Sequence, residues 1–149
     1  MQIQEMKAQI FGSFFTLSNR LQKSGDGLDT KMTLKQWLLI AVLMKSEEES
    51  LSVSELAQRM GSTRQNVKKM THLLEKQGFL SIDRREDDKR VLEVRVTPTC
   101  LAHCKGRQPE EKRFIETLFF GFSAEELIRL SQSFAKLSDN ITRLEETYA

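Results

Sequence analysis

Cysteine and histidine are scarce in this chain of 149 residues, with two of each, and that limits the chemistry it can hold. Cys100 and Cys104 stand four apart, which is no disulfide framework, so a reducing cytosol and a cytoplasmic location are expected. On an intact helix, thiols at this spacing are too far apart for easy closure. They share a helix face with His103, and two thiolates with an imidazole suit zinc. No fourth ligand stands nearby in the sequence, so buried or incidental cysteines are the simpler reading and no metal is expected. With only His72 and His103, no Ser/His/Asp set and no Gly-rich phosphate loop, neither enzyme activity nor a cofactor is expected. Long hydrophobic runs are also missing. The longest, 37–44, has eight residues, far short of the roughly 20 needed to cross a bilayer. With no signal peptide visible either, no membrane partner is expected.

Net charge is low as well, at +2, too small to point to nucleic acid by itself. Its distribution says more. Between Arg59 and Arg95 there are ten Lys or Arg against six Asp or Glu, so this segment carries +4 and the remainder −2. A basic segment on a neutral-to-acidic body is the footprint of a DNA reader.

Hydrophobic periodicity gives mostly helices. Ile3, Met6, Ile10, Phe14, Leu17 and Leu21 recur at three- and four-residue steps, the stripe of an amphipathic helix that stops at Ser24-Gly25-Asp26-Gly27. Thr33 with Gln36, Ser52 with Glu55, Ser62 with Gln65 and Ser123 with Glu126 have the capping-box spacing, in which two side chains satisfy each other's orphan backbone donors. At Thr97-Pro98, Thr caps and Pro takes the first helical position. From Phe79 to Ile82, and again where Leu92, Val94 and Val96 alternate with Glu93, Arg95 and Thr97, the pattern turns to strand. The expected order is α-α-α-α-β-β-α-α, mainly helical with a small β-hairpin. A short helix, a Gly turn, a second helix with a basic outer face and a basic ribbon make a winged helix-turn-helix over 30–97.

With Ser62 as cap of the second helix of this motif, Val67, Met70 and Leu74 bury against Leu56, Ala57 and Trp37. Arg64, Gln65, Lys68 and Lys69 face outward, followed by His72. Thr63, Arg64, Gln65 and Asn66 lie in the first turn, which reaches base edges. Arg can fork onto guanine, and Gln or Asn onto adenine, whereas Lys68 and Lys69 suit phosphate. In the hairpin, Arg84, Arg85, Lys89 and Arg90 form a basic tip from which an Arg could enter a narrow minor groove. Asp87 or Asp88 is expected to hold a neighbouring Arg. The alternatives are a solvated basic helix face and a charged turn guarding a sheet edge. Glu47-Glu48-Glu49 reads as a solvated loop, and Trp37 as core or as part of an effector pocket.

The terminal segments carry more apolar surface than a winged helix needs. Phe11, Phe14, Phe15, Phe114, Phe119, Phe120, Phe122 and Phe134 cluster there, and an isologous homodimer would bury those that the chain's own core does not. Two recognition helices about one DNA turn apart imply a pseudo-palindromic site.

Several runs together resemble the MarR (multiple antibiotic resistance regulator) family. They are Gln36-Trp37 with Leu43, Ser54-Glu55-Leu56-Ala57, Leu74-Glu75-Lys76-Gln77-Gly78-Phe79, Asp88-Lys89-Arg90 ending in Val96-Thr97, and Leu118-Phe119-Phe120-Gly121-Phe122-Ser123-Ala124-Glu125-Glu126-Leu127. The resemblance covers nearly the whole chain. It implies a single domain over 1–149, with the DNA-binding core at 30–97 and dimerisation helices at 1–24 and 98–149. It also implies a dimeric transcription regulator, usually a repressor, with a cleft for a small-molecule effector of unidentified structure. Carried over by position, Ser62, Thr63, Arg64, Gln65, Asn66, Lys68 and Lys69 would meet the major groove of double-stranded DNA, and Arg84, Arg85, Lys89 and Arg90 would form the wing. The wing is one or two residues shorter than is common, and Lys89 stands where Arg is frequent. The alternative reading is a winged helix that binds another protein without sequence-specific DNA binding.

Overall fold

The computed structural model describes residues 2–149. Its elements are α1 (Ile3–Gly25), α2 (Leu34–Lys45), β1 (Leu51–Ser52), α3 (Val53–Met60), α4 (Arg64–Lys76), β2 (Leu80–Arg84), β3 (Leu92–Val96), α5 (Pro98–Leu118) and α6 (Ala124–Tyr148). The expected mainly helical fold with a hairpin wing is present. One strand goes beyond expectation: β1, two residues long, pairs antiparallel with β3 (Leu51 opposite Val94, Ser52 opposite Glu93) and makes β3 the centre of a three-stranded sheet ordered β1-β3-β2. Two residues are too few to show alternation, so no periodicity announced it.

The chain divides into two compact units with the boundary after Glu110, inside α5. In the first unit one apolar core joins α2, α3, α4, the sheet and the start of α5. Leu39, Leu51, Leu56, Val67, Leu74 and Val94 are fully buried in it. Each such side chain contributes roughly 1.5–3 kcal/mol relative to exposure. Cys100 and Cys104 close the same core and are buried free thiols with their sulfurs 4.0 Å apart.

Local chemistry sets the helix ends. The Thr33–Gln36 box closes in both directions, the Gln36 N–H donating to Thr33 Oγ1 at 3.2 Å and the Thr33 N–H to Gln36 Oε1 at 3.0 Å. Ser52 caps α3 by accepting the Glu55 N–H at 3.1 Å, and Thr97 caps α5 by accepting the Cys100 N–H at 3.2 Å. α3 ends at Gly61, whose φ of 64° is the left-handed conformation that favours glycine, and the Ser62 N–H returns to the Ala57 carbonyl at 2.9 Å. α4 starts one residue later than its sequence suggests: Thr63, not Ser62, is the cap, and it accepts the Asn66 N–H at 3.2 Å. Ser62 is drawn into the turn by its bond to Ala57, so the Ser62–Gln65 box is replaced by the neighbouring cap.

The second unit contains the end of α5, a turn and α6. Ser123 and Glu126 form the expected reciprocal box at 3.1 and 2.7 Å. Phe119 and Phe122 meet edge to face across the turn. No residue of α6 is buried, although Leu127, Phe134, Ile141 and Leu144 recur along it. Among the described residues, no helix is long and apolar enough to cross a membrane.

Candidate nucleic-acid interface

The candidate surface begins with the two faces of α4. Val67, Thr71 and Leu74 are buried on one side, and Thr71 satisfies its hydroxyl on the Lys68 carbonyl at 2.8 Å. Met70 is only partly buried at the edge of this face. On the other side Arg64, Gln65, Asn66, Lys68, Lys69 and His72 are all exposed, as is the cap residue Thr63, while Ser62 is half-buried in the turn.

Between α4 and the wing lies a concave groove of about 570 Å³. Ser52, Val53 and Ser54 from the start of α3 line it, together with Arg64, Gln65 and Lys68 from α4 and Arg84, Arg90, Val91 and Leu92 from the hairpin. Five of the sequence-predicted residues therefore converge on one groove. Ser62, Thr63, Asn66, Lys69, Arg85 and Lys89 are not among its lining residues.

The hairpin is zipped in register from Leu80 opposite Val96 to Arg84 opposite Leu92, and its four cations differ in their partners. Arg84 donates from Nη1 to the Lys89 carbonyl at 2.9 Å, which ties the two arms near the tip. Arg90, at 91% side-chain exposure, is held by Asp88 at 3.0 and 3.2 Å, which leaves its guanidinium in solvent. Those bonds to Arg90 in turn hold the Asp88 carboxyl below its ordinary range. Lys89 is exposed. Arg85 points back into the protein, onto Glu93, whose carboxyl is held low first by the Ser50 hydroxyl and then by Arg85 and Arg95. An Arg within the charged run Arg84-Arg85-Glu86-Asp87-Asp88-Lys89-Arg90 does not reveal which way it turns. The Arg85 partner Glu93 reads in sequence only as one of the residues that alternate with Leu92, Val94 and Val96.

A second polar assembly was not legible at all. Asp29, in the turn after α1, accepts from His103 Nε2 at 2.7 Å and Arg107 Nη1 at 2.8 Å, both on α5. Arg107 also lies 5.1 Å from the centre of the Trp37 ring. Trp37, read from sequence as core or as part of an effector pocket, is half-buried beside this cation and outside the buried apolar core. His103 turns to Asp29 instead of completing a set with Cys100 and Cys104. Among the described residues no group of three or more His, Cys, Asp or Glu could hold a metal.

A winged helix with a basic recognition helix opposite a basic hairpin defines a class of nucleic-acid-binding fold. Residues 30–91 match the model of the MarR family. The chain is 24% identical over 110 residues to the transcriptional repressor MprA of Escherichia coli K12, a match covering 74% of this chain and 62% of that protein. It spans between 55% and 64% of the length of the curated relatives it matches. Among solved structures, a MarR/EmrR family transcriptional regulator from Acinetobacter sp. ADP1 superposes with a TM-score of 0.81 at 17% identity, covering 93% of this chain and 98% of that one. Bordetella bronchiseptica BpsR, whose DNA binding is regulated by 6-hydroxynicotinic acid, superposes with a TM-score of 0.72 at 17% identity, over 93% of this chain and 94% of that one. Over residues 30–91 the chain is thus similar to the MarR family, and as a whole it has the fold of solved MarR-family regulators.

Proposed function

We propose that the protein is a dimeric, sequence-specific DNA-binding regulator, a repressor that covers a pseudo-palindromic operator and excludes RNA polymerase. The observation that carries this reading is the groove that joins Arg64, Gln65 and Lys68 of α4 to Arg84 and Arg90 of the wing. Arg64 and Gln65 stand in the first exposed turn of α4, where forked donors can meet base edges in a major groove. Lys68 and Lys69 fit phosphate, and Arg90 fits the adjacent minor groove or its phosphates.

Dimerisation is supported by apolar side chains that the single chain leaves in solvent. Phe11 is 63% exposed, Phe15 60%, Phe120 86% and Phe134 54%. Exposed apolar surface at this density marks an interaction surface, and a second copy is the partner that also supplies a second recognition helix. Release by a small ligand is supported by the ligand-regulated relative BpsR. Such a ligand acts only through its different affinities for the DNA-bound and free conformations.

The test is fluorescence anisotropy of the purified protein on its own upstream duplex and on a scrambled one, over a salt series. Sequence-dependent binding with a steep salt slope is expected. Arg64→Ala is expected to lose about 1–3 kcal/mol on the specific site with relaxed choice at one base pair, while Lys68→Ala weakens all duplexes alike. Equal, weak binding of the wild type to both duplexes would remove the operator-binding reading and leave a winged helix whose partner is another protein.

A further inference from the structure

We propose that Arg85 is the positioning residue of the wing and not one of its DNA contacts: its guanidinium locks the hairpin to the centre of the sheet and to the start of α3. It thereby sets where Arg84 and Arg90 stand opposite Arg64. This assignment rests on the DNA-binding reading above and refines it.

Arg85 follows the last paired residue of β2, and its backbone N–H donates to the Val91 carbonyl at 2.9 Å. Its side chain turns away from the tip. Nε donates to Glu93 Oε1 at 2.6 Å, and Nη2 contacts the same carboxylate oxygen. Glu55 and Asp87 each bring an oxygen to 3.9 Å. Glu93 is itself only 14% exposed and is fixed from its other side by the Ser50 hydroxyl at 2.7 Å. It sits on the central strand, opposite Asp83 of β2 and Ser52 of β1. Glu55 lies in the first turn of α3 and accepts from the Ser52 hydroxyl at 3.1 Å.

One guanidinium therefore spans the hairpin, the centre strand and the turn that opens α3. That turn contributes Ser52, Val53 and Ser54 to the same groove as Arg84 and Arg90. The planar fork of Arg suits a fixed multi-point bridge, which a lysine ammonium cannot reproduce. Three carboxylates around one cation also argue against a phosphate partner. Drawing Arg85 onto DNA would take from Glu93 its nearest cation, and from Glu55 and Asp87 a neighbouring one, beside a polyanion.

The experiment compares Arg85→Ala, Arg85→Lys, Glu93→Gln and the Arg85→Ala/Glu93→Gln double variant in the full chain. It uses anisotropy on the upstream duplex over a salt series, amide hydrogen exchange of residues 83–92 without DNA, and melting temperature to confirm folding. The sign for Glu93→Gln decides. A positioning role predicts that Glu93→Gln and Arg85→Lys each weaken specific binding by about 3- to 10-fold. The double variant binds no more weakly than Arg85→Ala, the salt slope stays within about half a unit of wild type, and wing amides exchange faster in every variant. If Arg85 instead contacts phosphate, Glu93→Gln leaves binding unchanged or tightens it and Arg85→Ala lowers the salt slope by about 1; that result overturns the proposal. Should the wild type show no sequence preference, the DNA-binding reading fails by itself, and the exchange arm still decides the bridge, since wild-type exchange in Arg85→Lys and Glu93→Gln refutes it. Where Glu93→Gln melts below the assay temperature, Arg85→Lys carries the comparison.

Discussion

Replacing Asp29 with Asn tests the polar junction between the turn after α1 and helix α5. The carboxylate receives three donors: the Lys31 N–H on Oδ1 at 2.8 Å, and His103 Nε2 at 2.7 Å with Arg107 Nη1 at 2.8 Å on Oδ2. A carboxylate only accepts, so Nε2 carries the ring proton. The Asp29 and Arg107 side chains are 7% and 6% exposed, so this is a buried ion pair and not a surface one. Removing one member of a buried pair costs about 3–5 kcal/mol, because the remaining charge keeps its desolvation penalty. Asn retains an acceptor for part of the network, and the Trp37 ring still faces the Arg107 cation, an attraction of about 0.5–2 kcal/mol. The expected loss is therefore about 2–4 kcal/mol. At about 2–4 °C per kcal/mol for a chain of this size, the melting temperature falls by roughly 5–15 °C.

The pH dependence gives this prediction a sign. Burial pushes the Asp29 carboxyl up, but the Lys31 N–H, His103 and Arg107 together outweigh it and hold the group below its ordinary value of 3.8. A carboxyl lowered on folding stabilises the native state above its unfolded pKa, and that stabilisation is lost as pH falls through the folded value. The gap between wild type and Asp29→Asn is thus full at pH 7 and narrows below about pH 4. Urea titrations at pH 7, 5, 4 and 3, at one protomer concentration, measure it. A loss under about 1 kcal/mol at pH 7, or a gap that stays constant down to pH 3, refutes the reasoning.

Three further outcomes follow from local geometry. Thr63→Ala is expected to cost about 1 kcal/mol by chemical denaturation and Ser62→Ala much less, because Thr63 caps α4; the reverse order would restore the cap read from sequence. Gly61→Ala meets no neighbouring atom but must hold φ near 64°, so a loss of about 1–2 kcal/mol is expected, and unchanged stability would show that the turn relaxes. Cys100 is pushed up to about 12 by burial and then by Cys104. Its modification by a thiol reagent at pH 8 should therefore be slow in the native protein and rapid in urea, and native-state labelling at the rate of a free thiol would contradict that burial.

Much of the fold was legible because its signals are local. Capping pairs, the Gly61 turn and the alternation from Leu92 to Val96 each follow from neighbours in the chain. The sequence placed the cap of α4 one residue early because Ser62 and Thr63 are both good caps, and only the backbone bond from Ser62 to Ala57 separates them. Strand β1 was missed because its pairing with β3 reaches across more than forty residues. For the candidate site, residue types were readable and orientations were not. Arg64, Gln65, Lys68, Arg84 and Arg90 meet at one groove, but Arg85 differs from Arg84 only in having Glu93 beside it after folding. Asp29 and Arg107 lie 78 positions apart, and no periodicity connects them.

The distribution of burial also bears on how binding and assembly are linked in the proposed dimer. The apolar core runs from Met32 to Cys104, so the winged helix has its own source of stability. Ile3, Ile10, Phe11 and Phe15 in α1, and Ile128, Phe134, Ile141 and Leu144 in α6, remain exposed in the single chain. Helices of this kind gain most of their stability from packing an apolar face against a partner, and little from propensity. In such a dimer the terminal helices are stabilised only as protomers associate, so their unfolding is expected to depend on protein concentration while that of the core depends on it less. Association then does two things at once: it orders the arms and brings a second recognition helix into place. A substitution such as Phe134→Glu, far from the groove, is accordingly expected to weaken operator binding by dissociating the dimer without altering the preference of each half for its bases.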